Sequence, residues 1–253
     1  LNEKVMVTIL CQGVLFQNIK AIIFDKDGTL ANSENYLRSL GHQRARFIDA
    51  QIPGVQEPLM MAFGITNQRL NPSGLLAVGT RFENLIAAAA YIAETGENWG
   101  QALEIAQSAF ERAEQPNPLK ATQTPLLPGI KPLLQRLRDS GLALAILSGD
   151  TTANVVDFVG FNQLQGYFSV VQGIDAPPGK PSPQPLFRSC NELGVNPSQV
   201  LVIGDSIGDI QMSQGGGTAG CIGVTWGWTG TPQLQGASAL AHHINDIELK
   251  LST

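Results

Sequence analysis

Two acidic pairs in this chain are spaced in a way that suits chemistry. Asp25-Lys26-Asp27-Gly28-Thr29 follows directly on an apolar run, and Gly204-Asp205-Ser206-Ile207-Gly208-Asp209 follows on another. Between them lie Ser148-Gly149-Asp150, again just past an apolar run, and Lys180 within Gly179-Lys180-Pro181-Ser182-Pro183. Each piece has an ordinary use. An aspartate or serine after a strand caps the next helix, an acid in a first helical turn complements the helix dipole, and a loop lysine is solvated. A cap accounts for one aspartate, not for Asp25 and Asp27 together ahead of a Gly-Thr turn. Carboxylates gathered at one place repel each other unless a cation lies between them, and hard oxygen ligands suit Mg²⁺. Lys180, its backbone fixed by flanking prolines, and the Ser148 hydroxyl add a positive charge and a donor. Together they suit a dianionic phosphoryl group, and the chemistry is Mg²⁺-dependent phosphoryl transfer.

That chemistry requires all of these groups on one edge of one sheet. Four near-continuous apolar runs, Ile19–Phe24, Leu142–Leu147, Val200–Ile203 and Cys221–Trp226, read as parallel strands covered on both faces. Helical patterns at Ile130–Asp139, Thr151–Val159, Pro183–Leu193 and Ile207–Gln214 alternate with them. The expected fold is α/β, a doubly wound Rossmann-like parallel sheet. Ligands bind such sheets beyond the strand C-termini, where every group singled out above falls.

Residues 32–124 interrupt this alternation with helix grammar and no convincing strand. Ser33–Ala50 carries Leu37, Leu40, Phe47 and Ile48 on one face. Thr80 with Glu83 forms a capping box ahead of Leu85–Glu94, with Gly96 as the stop, and Asn98 with Gln101 repeats the device. Asn71–Thr80, with Pro72, Gly74 and Gly79, reads as a loop. The expected organisation is a core of residues 1–31 and 125–253 holding an inserted all-helical domain of residues 32–124. A small hairpin, Val5–Cys11 with Val14–Gln17 about Gly13, precedes the first core strand.

The 253 residues are 43% hydrophobic and 15% charged, enough apolar material for a sizeable core. Sixteen Lys and Arg against 21 Asp and Glu, with no basic cluster, argue against nucleic acid as a partner. The longest apolar run, Leu85 to Ala93, is nine residues, about half of a membrane span. No signal-peptide pattern opens the sequence. The three scattered cysteines, Cys11, Cys190 and Cys221, read as buried small hydrophobes. A cytoplasmic protein is expected, with no membrane association.

In order, Asp25-Lys26-Asp27-Gly28-Thr29, Ser148, Lys180 and Gly204-Asp205-Ser206-Ile207-Gly208-Asp209 resemble the four motifs of the haloacid dehalogenase superfamily. The helical insertion resembles that family's type 1 cap, and Ile222-Gly223-Val224-Thr225-Trp226-Gly227 is similar to phosphoglycolate-phosphatase-type members. The resemblance implies that Asp25 is a nucleophile forming an aspartyl-phosphate and that Asp27 is a general acid and base. It implies Mg²⁺ held by the Asp25 carboxylate, the Asp27 carbonyl and Asp205, with Asp209 either an outer ligand or a partner orienting Lys180. Ser148 and Lys180 would bind the transferring oxygens, helped by backbone N–H groups near Gly28 and Gly149. The substrate is expected to be a small phosphorylated metabolite. A phosphomutase of the β-phosphoglucomutase type keeps the second aspartate and is the alternative reading, and a non-catalytic binding protein is a further one. On the first cap helix, Arg38, His42 and Arg46 share one face, read as solvated, beside Gln43 and Arg44. His242-His243 reads as surface, and Trp226 and Trp228 as packing or a domain contact.

Overall fold

The computed structural model describes residues 7–115 and 120–250. The chain opens with strands β1 (Val7–Cys11) and β2 (Val14–Ile19), the expected hairpin; Val5 and Met6 lie outside the described residues. Strand β3 (Ala21–Phe24) follows, buried at every position. Then come α1 (Glu34–Asp49), α2 (Gln56–Ala62), β4 (Ile65–Thr66), β5 (Arg69–Leu70), α3 (Leu75–Val78), α4 (Arg81–Glu94), α5 (Trp99–Ala113) and α6 (Lys120–Gln123). The α/β alternation resumes with α7 (Ile130–Asp139), β6 (Ala143–Leu147), α8 (Thr152–Phe161), β7 (Val170–Gln172), α9 (Gln184–Leu193) and β8 (Val200–Gly204). It closes with α10 (Ile207–Gly215), β9 (Gly220–Val224), β10 (Ala239–Ala241) and β11 (Ile247–Lys250).

The central sheet has six parallel strands in the order β10-β9-β8-β3-β6-β7. Strand β3 lies between β6 and β8, so the chain leaves it in one direction and later returns to its other side. This reversal opens a crevice at the C-terminal ends of the strands. In register, Phe24 lies opposite Ile146 on one side and Ile203 on the other. The residues that follow, Asp25, Ser148 and Asp205, therefore leave the sheet at nearly the same level. Apolar side chains cover both faces, with Ile22, Phe24, Leu144 and Leu201 in one cluster and Ile23, Ala145, Leu186 and Val202 in the other.

The sheet has two strands beyond the expected four, β7 and β10, one at each edge. Each is three residues long, too short to carry a hydrophobic period. A separate three-stranded sheet, β11-β1-β2, uses the hairpin.

Between β3 and α7 the helices build a second apolar cluster, including Leu37, Ile48, Leu59, Phe63, Ile92 and Phe110, which Trp228 joins from outside the insertion. The Thr80 capping box forms: Thr80 Oγ1 accepts from the Glu83 N–H at 3.2 Å while Glu83 Oε2 accepts from the Thr80 N–H at 2.7 Å. Asn98 Oδ1 accepts from the Gln101 N–H at 3.0 Å. The all-helical expectation needs correction here, because β4 and β5 form a two-residue ribbon turning at Asn67 and Gln68, both in left-handed backbone. A ribbon this short shows no alternation. The Asn71–Thr80 stretch also holds a helix, α3, four residues long between Gly74 and Gly79. Among the described residues no helix is long and apolar enough to cross a membrane.

Candidate active site

A cavity of about 540 Å³ lies over the C-terminal edge of the sheet. Its floor includes Asp25, Asp27, Ser148, Gly149, Lys180 and Asp205, and its opposite wall includes Tyr36, Arg44, Arg81 and Glu114. The strand register accounts for the floor. Asp25 is fixed at the end of β3 by its N–H, which donates to the Ile203 carbonyl at 2.9 Å.

Lys180 joins two of the motifs. Its Nζ donates to Asp25 Oδ1 at 2.7 Å and to Asp209 Oδ1 at 2.6 Å. Asp209 also accepts at Oδ2 from the Ser206 hydroxyl at 2.6 Å, while its N–H donates to Ser206 Oγ at 3.2 Å, so α10 is capped by the same pair. Asp209 is thus both the helix-start acid and the residue that orients Lys180. Asp205 accepts from Thr29 Oγ1 at 2.7 Å and from the Trp228 indole N–H at 2.6 Å.

One carboxylate oxygen each from Asp25, Asp205 and Asp209 lies within 4.8 Å of the others, and the ammonium of Lys180 pairs with Asp25 and Asp209. Burial, with Asp209 and Asp27 nearby, pushes the Asp25 carboxyl up to about 6 against the pull of Lys180. Burial and the charges of Asp25 and Asp209 raise Asp205 well above the carboxylate range, although Thr29 and Trp228 oppose this. A compact all-oxygen donor set with uncompensated negative charge fits a hard divalent cation. The side chain of Asp27 is not part of this cluster.

Asp27 instead belongs to a second group that the sequence did not reveal. Its Oδ1 accepts from Lys26 Nζ at 2.7 Å and from the Ser33 hydroxyl, and Lys120 Nζ lies 3.7 Å from Oδ2. Lys26 is also 3.2 Å from Asp150 Oδ2, and Lys120 donates to the same carboxylate. Lys26 is 1% exposed, so the residue between the two aspartates of the first motif is itself a buried partner. Burial raises the Asp27 carboxyl, but the ammonium groups of Lys120 and Lys26 outweigh it and hold the carboxyl below its ordinary value. Asp150 is pulled lower by the same balance of burial against Lys120 and Lys26. Ser33, at the N-cap position of α1, spends its hydroxyl on Asp27 rather than on the helix.

The two glycines expected to help hold phosphate differ. Gly149 lines the cavity, and a Cβ there would meet nothing within 4 Å. The Gly28 N–H is committed to the Ala31 carbonyl at 3.0 Å, so it does not supply the expected phosphate donor. Gly28 instead keeps a left-handed turn, φ 78°, where a Cβ would fall 2.3 Å from Trp228 Nε1 and 2.4 Å from Asp205 Oδ2. Gly227 allows the matching approach from the other side, since its Cβ would lie 1.8 Å from the Gly28 carbonyl. Ser148 is buried, with its Oγ accepting from the Asp150 N–H at 3.2 Å.

Both tryptophans of the Trp-Gly-Trp segment reach the site. Trp226 Nε1 donates to the Thr29 carbonyl at 3.0 Å, while Trp228 packs into the helical cluster and bonds Asp205. On α1, the cavity meets Gln43 and Arg44 rather than the Arg38, His42 and Arg46 stripe. Arg38 spends its guanidinium on the Gln68 carbonyl and Asn35. His243 caps a short turn and His242 meets Thr225, away from the cavity.

A family model of the haloacid dehalogenase-like hydrolases matches residues 19–217. The chain belongs to this family. Among curated relatives, this haloacid dehalogenase-like hydrolase is 28% identical over 220 residues to a phosphoglycolate phosphatase of Yersinia pestis, covering 85% of this chain and 84% of the relative. It is 30% identical over 215 residues to a phosphoglycolate phosphatase of Pasteurella multocida, covering 83% and 87%. A solved structure of a predicted phosphoglycolate phosphatase from Haemophilus somnus superposes with a TM-score of 0.64 at 22% identity, covering 90% of this chain and 96% of that one. A HAD-superfamily hydrolase, subfamily IA, from Geobacter sulfurreducens superposes at 0.56 with 18% identity, over 90% and 94%. Both superpositions establish the shared fold.

Proposed function

We propose that this hydrolase is a Mg²⁺-dependent phosphatase of a small phosphomonoester, acting through an aspartyl-phosphate on Asp25. The observation that carries the reading is Lys180 held between Asp25 and Asp209, beside Asp205, on the floor of one cavity. Relatives named phosphoglycolate phosphatase favour a phosphoglycolate-like substrate. Residues 32–124 act as a cap over a core of residues 1–31 and 125–253, and their packing around a separate apolar cluster favours that division.

In this reading an Asp25 carboxylate oxygen attacks phosphorus. The bond from phosphorus to the substrate oxygen breaks, and the leaving oxygen takes a proton from Asp27. Water then attacks the aspartyl-phosphate, its proton passes to Asp27, and phosphate leaves with Asp25 restored. The first half requires Asp27 to enter protonated, a state that the ammonium groups of Lys26 and Lys120 oppose. They favour the ionised Asp27 left after the leaving oxygen is protonated, which then accepts the proton from water. Lys180 and the Ser148 hydroxyl hold the transferring oxygens where charge develops. Asp209 positions Lys180. Asp25, the Asp27 carbonyl and Asp205 would hold the cation, which when bound offsets repulsion between the nucleophile and the phosphate oxygens.

The test is phosphate release from a panel of phosphoglycolate, sugar phosphates and nucleotides, with Mg²⁺ and with EDTA. Selective release that EDTA abolishes, together with a trapped acyl-phosphate on Asp25, is the expected result. Exchange of phosphoryl groups between sugar-phosphate isomers without net release would replace the phosphatase with a mutase.

A further inference from the structure

The wall opposite the catalytic floor carries a pair of guanidinium groups that share one counter-ion. Arg44, on α1, is 4% exposed and donates to Glu114 Oε1, while Arg81 Nε donates to Glu114 Oε2 at 2.8 Å. The Phe110 ring holds both heads in place, 4.0 Å from Arg44 and 5.7 Å from Arg81. Arg44, Arg81 and Glu114 all line the cavity that contains Asp25 and Lys180.

Two features separate this trio from an ordinary structural ion pair. The first is an orphan donor: Arg44 Nε is buried with no hydrogen-bond partner among the described residues. A buried donor is costly to leave unpaired, the more so on a charged group. The second is the charge count around the cavity. Lys26 and Lys120 are matched by Asp27 and Asp150. Asp25, Asp205 and Asp209, with Lys180 on two of them, form the donor set that would take the cation. Two arginines against Glu114 leave one positive charge in surplus on the far wall. The other charge on the lining, Asp157, sits at an exposed position of α8.

Resting on the phosphatase reading above, we propose that Arg44, supported by Arg81 and Glu114, forms a specificity subsite for a carboxylate at the far end of the phosphomonoester substrate. The planar guanidinium matches a carboxylate in shape. A surplus of one charge is met by one carboxylate, whereas a second phosphoryl group would bring a charge of about −1.5 to −2. A neutral polyol would leave the surplus charge without an ionic partner. The subsite thus sets substrate choice from the cap side, while the floor performs the chemistry.

The test compares 2-phosphoglycolate with 2-hydroxyethyl phosphate, which replaces the carboxylate by a neutral group of similar size. The expected result is a preference of kcat/KM for the carboxylate ester that falls by about 10–100-fold in Arg44→Gln, chiefly through KM, since a charged hydrogen bond is worth that range. Arg44→Lys should recover part of the preference, and Arg81→Gln should lower it less. An equal loss on both esters in Arg44→Gln would mean a structural role and overturn the subsite. If Arg44→Gln fails to fold, Arg81→Gln decides: its side chain is 35% exposed, and an unchanged preference there overturns the proposal.

Calorimetric binding of both esters to Asp25→Asn protein with Mg²⁺ separates the subsite from the phosphatase reading. Preference for the carboxylate ester that disappears in Asp25→Asn/Arg44→Gln supports the subsite even where wild type releases no phosphate, a result that sinks the phosphatase reading alone. Equal binding of the two esters overturns the subsite with the phosphatase intact. Tighter binding of ethanediol bisphosphate than of phosphoglycolate overturns the carboxylate assignment.

Discussion

Two groups of buried carboxylates border the same cavity and balance their charge in different ways. Asp27 and Asp150 are neutralised from within the chain by Lys26 and Lys120. Asp25 and Asp209 share Lys180, and Asp205 beside them has the neutral donors Thr29 and Trp228. The consequences for ionisation are opposite. Asp27 and Asp150 lie below their ordinary range, whereas Asp25 is pushed up to about 6 and Asp205 well above its ordinary value. The first group is a finished structural unit that also presents Asp27 to the cavity. The second carries more negative charge than the chain supplies to balance it, a donor set that could hold a cation. A buried acid is informative less by its presence than by what balances it.

The largest expected effect on this contrast is at the nucleophile. Asp25→Asn should lower phosphate release by on the order of 10⁴-fold or more. Asp27→Asn should leave a measurable residue, since general acid–base catalysis contributes about 10²–10⁴-fold. Steady-state phosphate release from deamidation-free protein checks both, and wild-type rates in Asp25→Asn would remove the basis for calling the cation-short group catalytic.

The self-neutralised group should answer in stability. Asp150→Asn leaves Lys26 and Lys120 with Asp27 as their remaining carboxylate, and breaking a buried pair in this way costs about 3 kcal/mol or more. For a chain of this size that is a fall in Tm of roughly 6–12 °C. A Tm within a degree of wild type would show the network to be dispensable.

pH separates the two groups by sign. The depressed carboxyls of Asp27 and Asp150 contribute stability that is present above about pH 4, their unfolded value, and lost as pH falls below it. The raised carboxyls of Asp25 and Asp205 work the other way, with a contribution present below about pH 4 and lost as pH rises, through about 6 in the case of Asp25. Mg²⁺ added to chelated protein should therefore raise Tm more at pH 7.5 than at pH 5. A larger shift at pH 5, measured by calorimetry, would contradict the charge deficit.

The smallest effect is expected away from both groups. Thr80→Ala removes the capping-box acceptor of α4 and should cost about 1 kcal/mol, read by chemical denaturation. A loss several times larger would mean that Thr80, which lines the cavity, holds the cap wall together as well.

Much of the floor was legible because its residues follow strands that announce themselves. Asp25, Ser148 and Asp205 each come one or two residues after an unbroken apolar run, and parallel register does the rest. The caps at Thr80 and Asn98 are equally local, three residues wide, and formed as their spacing implies. Lys26 was passed over because a lysine between two motif acids looks solvated until its burial is seen. Arg44 was grouped with its helix neighbours and not singled out, while the Arg38, His42 and Arg46 stripe, read as solvated, does not meet the cavity. The strands β4, β5, β7 and β10 are two or three residues each, below the length at which a period is detectable.

By itself, then, the amino-acid order determined the α/β core, the strand ends and the edge at which the candidate site lies, because strand burial and helix capping depend on neighbours a few residues away. The partners were decided only in three dimensions. Glu114 reaches Arg44 across 70 positions, and Trp228 and Thr29 converge on Asp205 from separations of 23 and 176. Such contacts depend on how distant segments pack within the insertion and within the core, and no local pattern encodes which buried charge will face which.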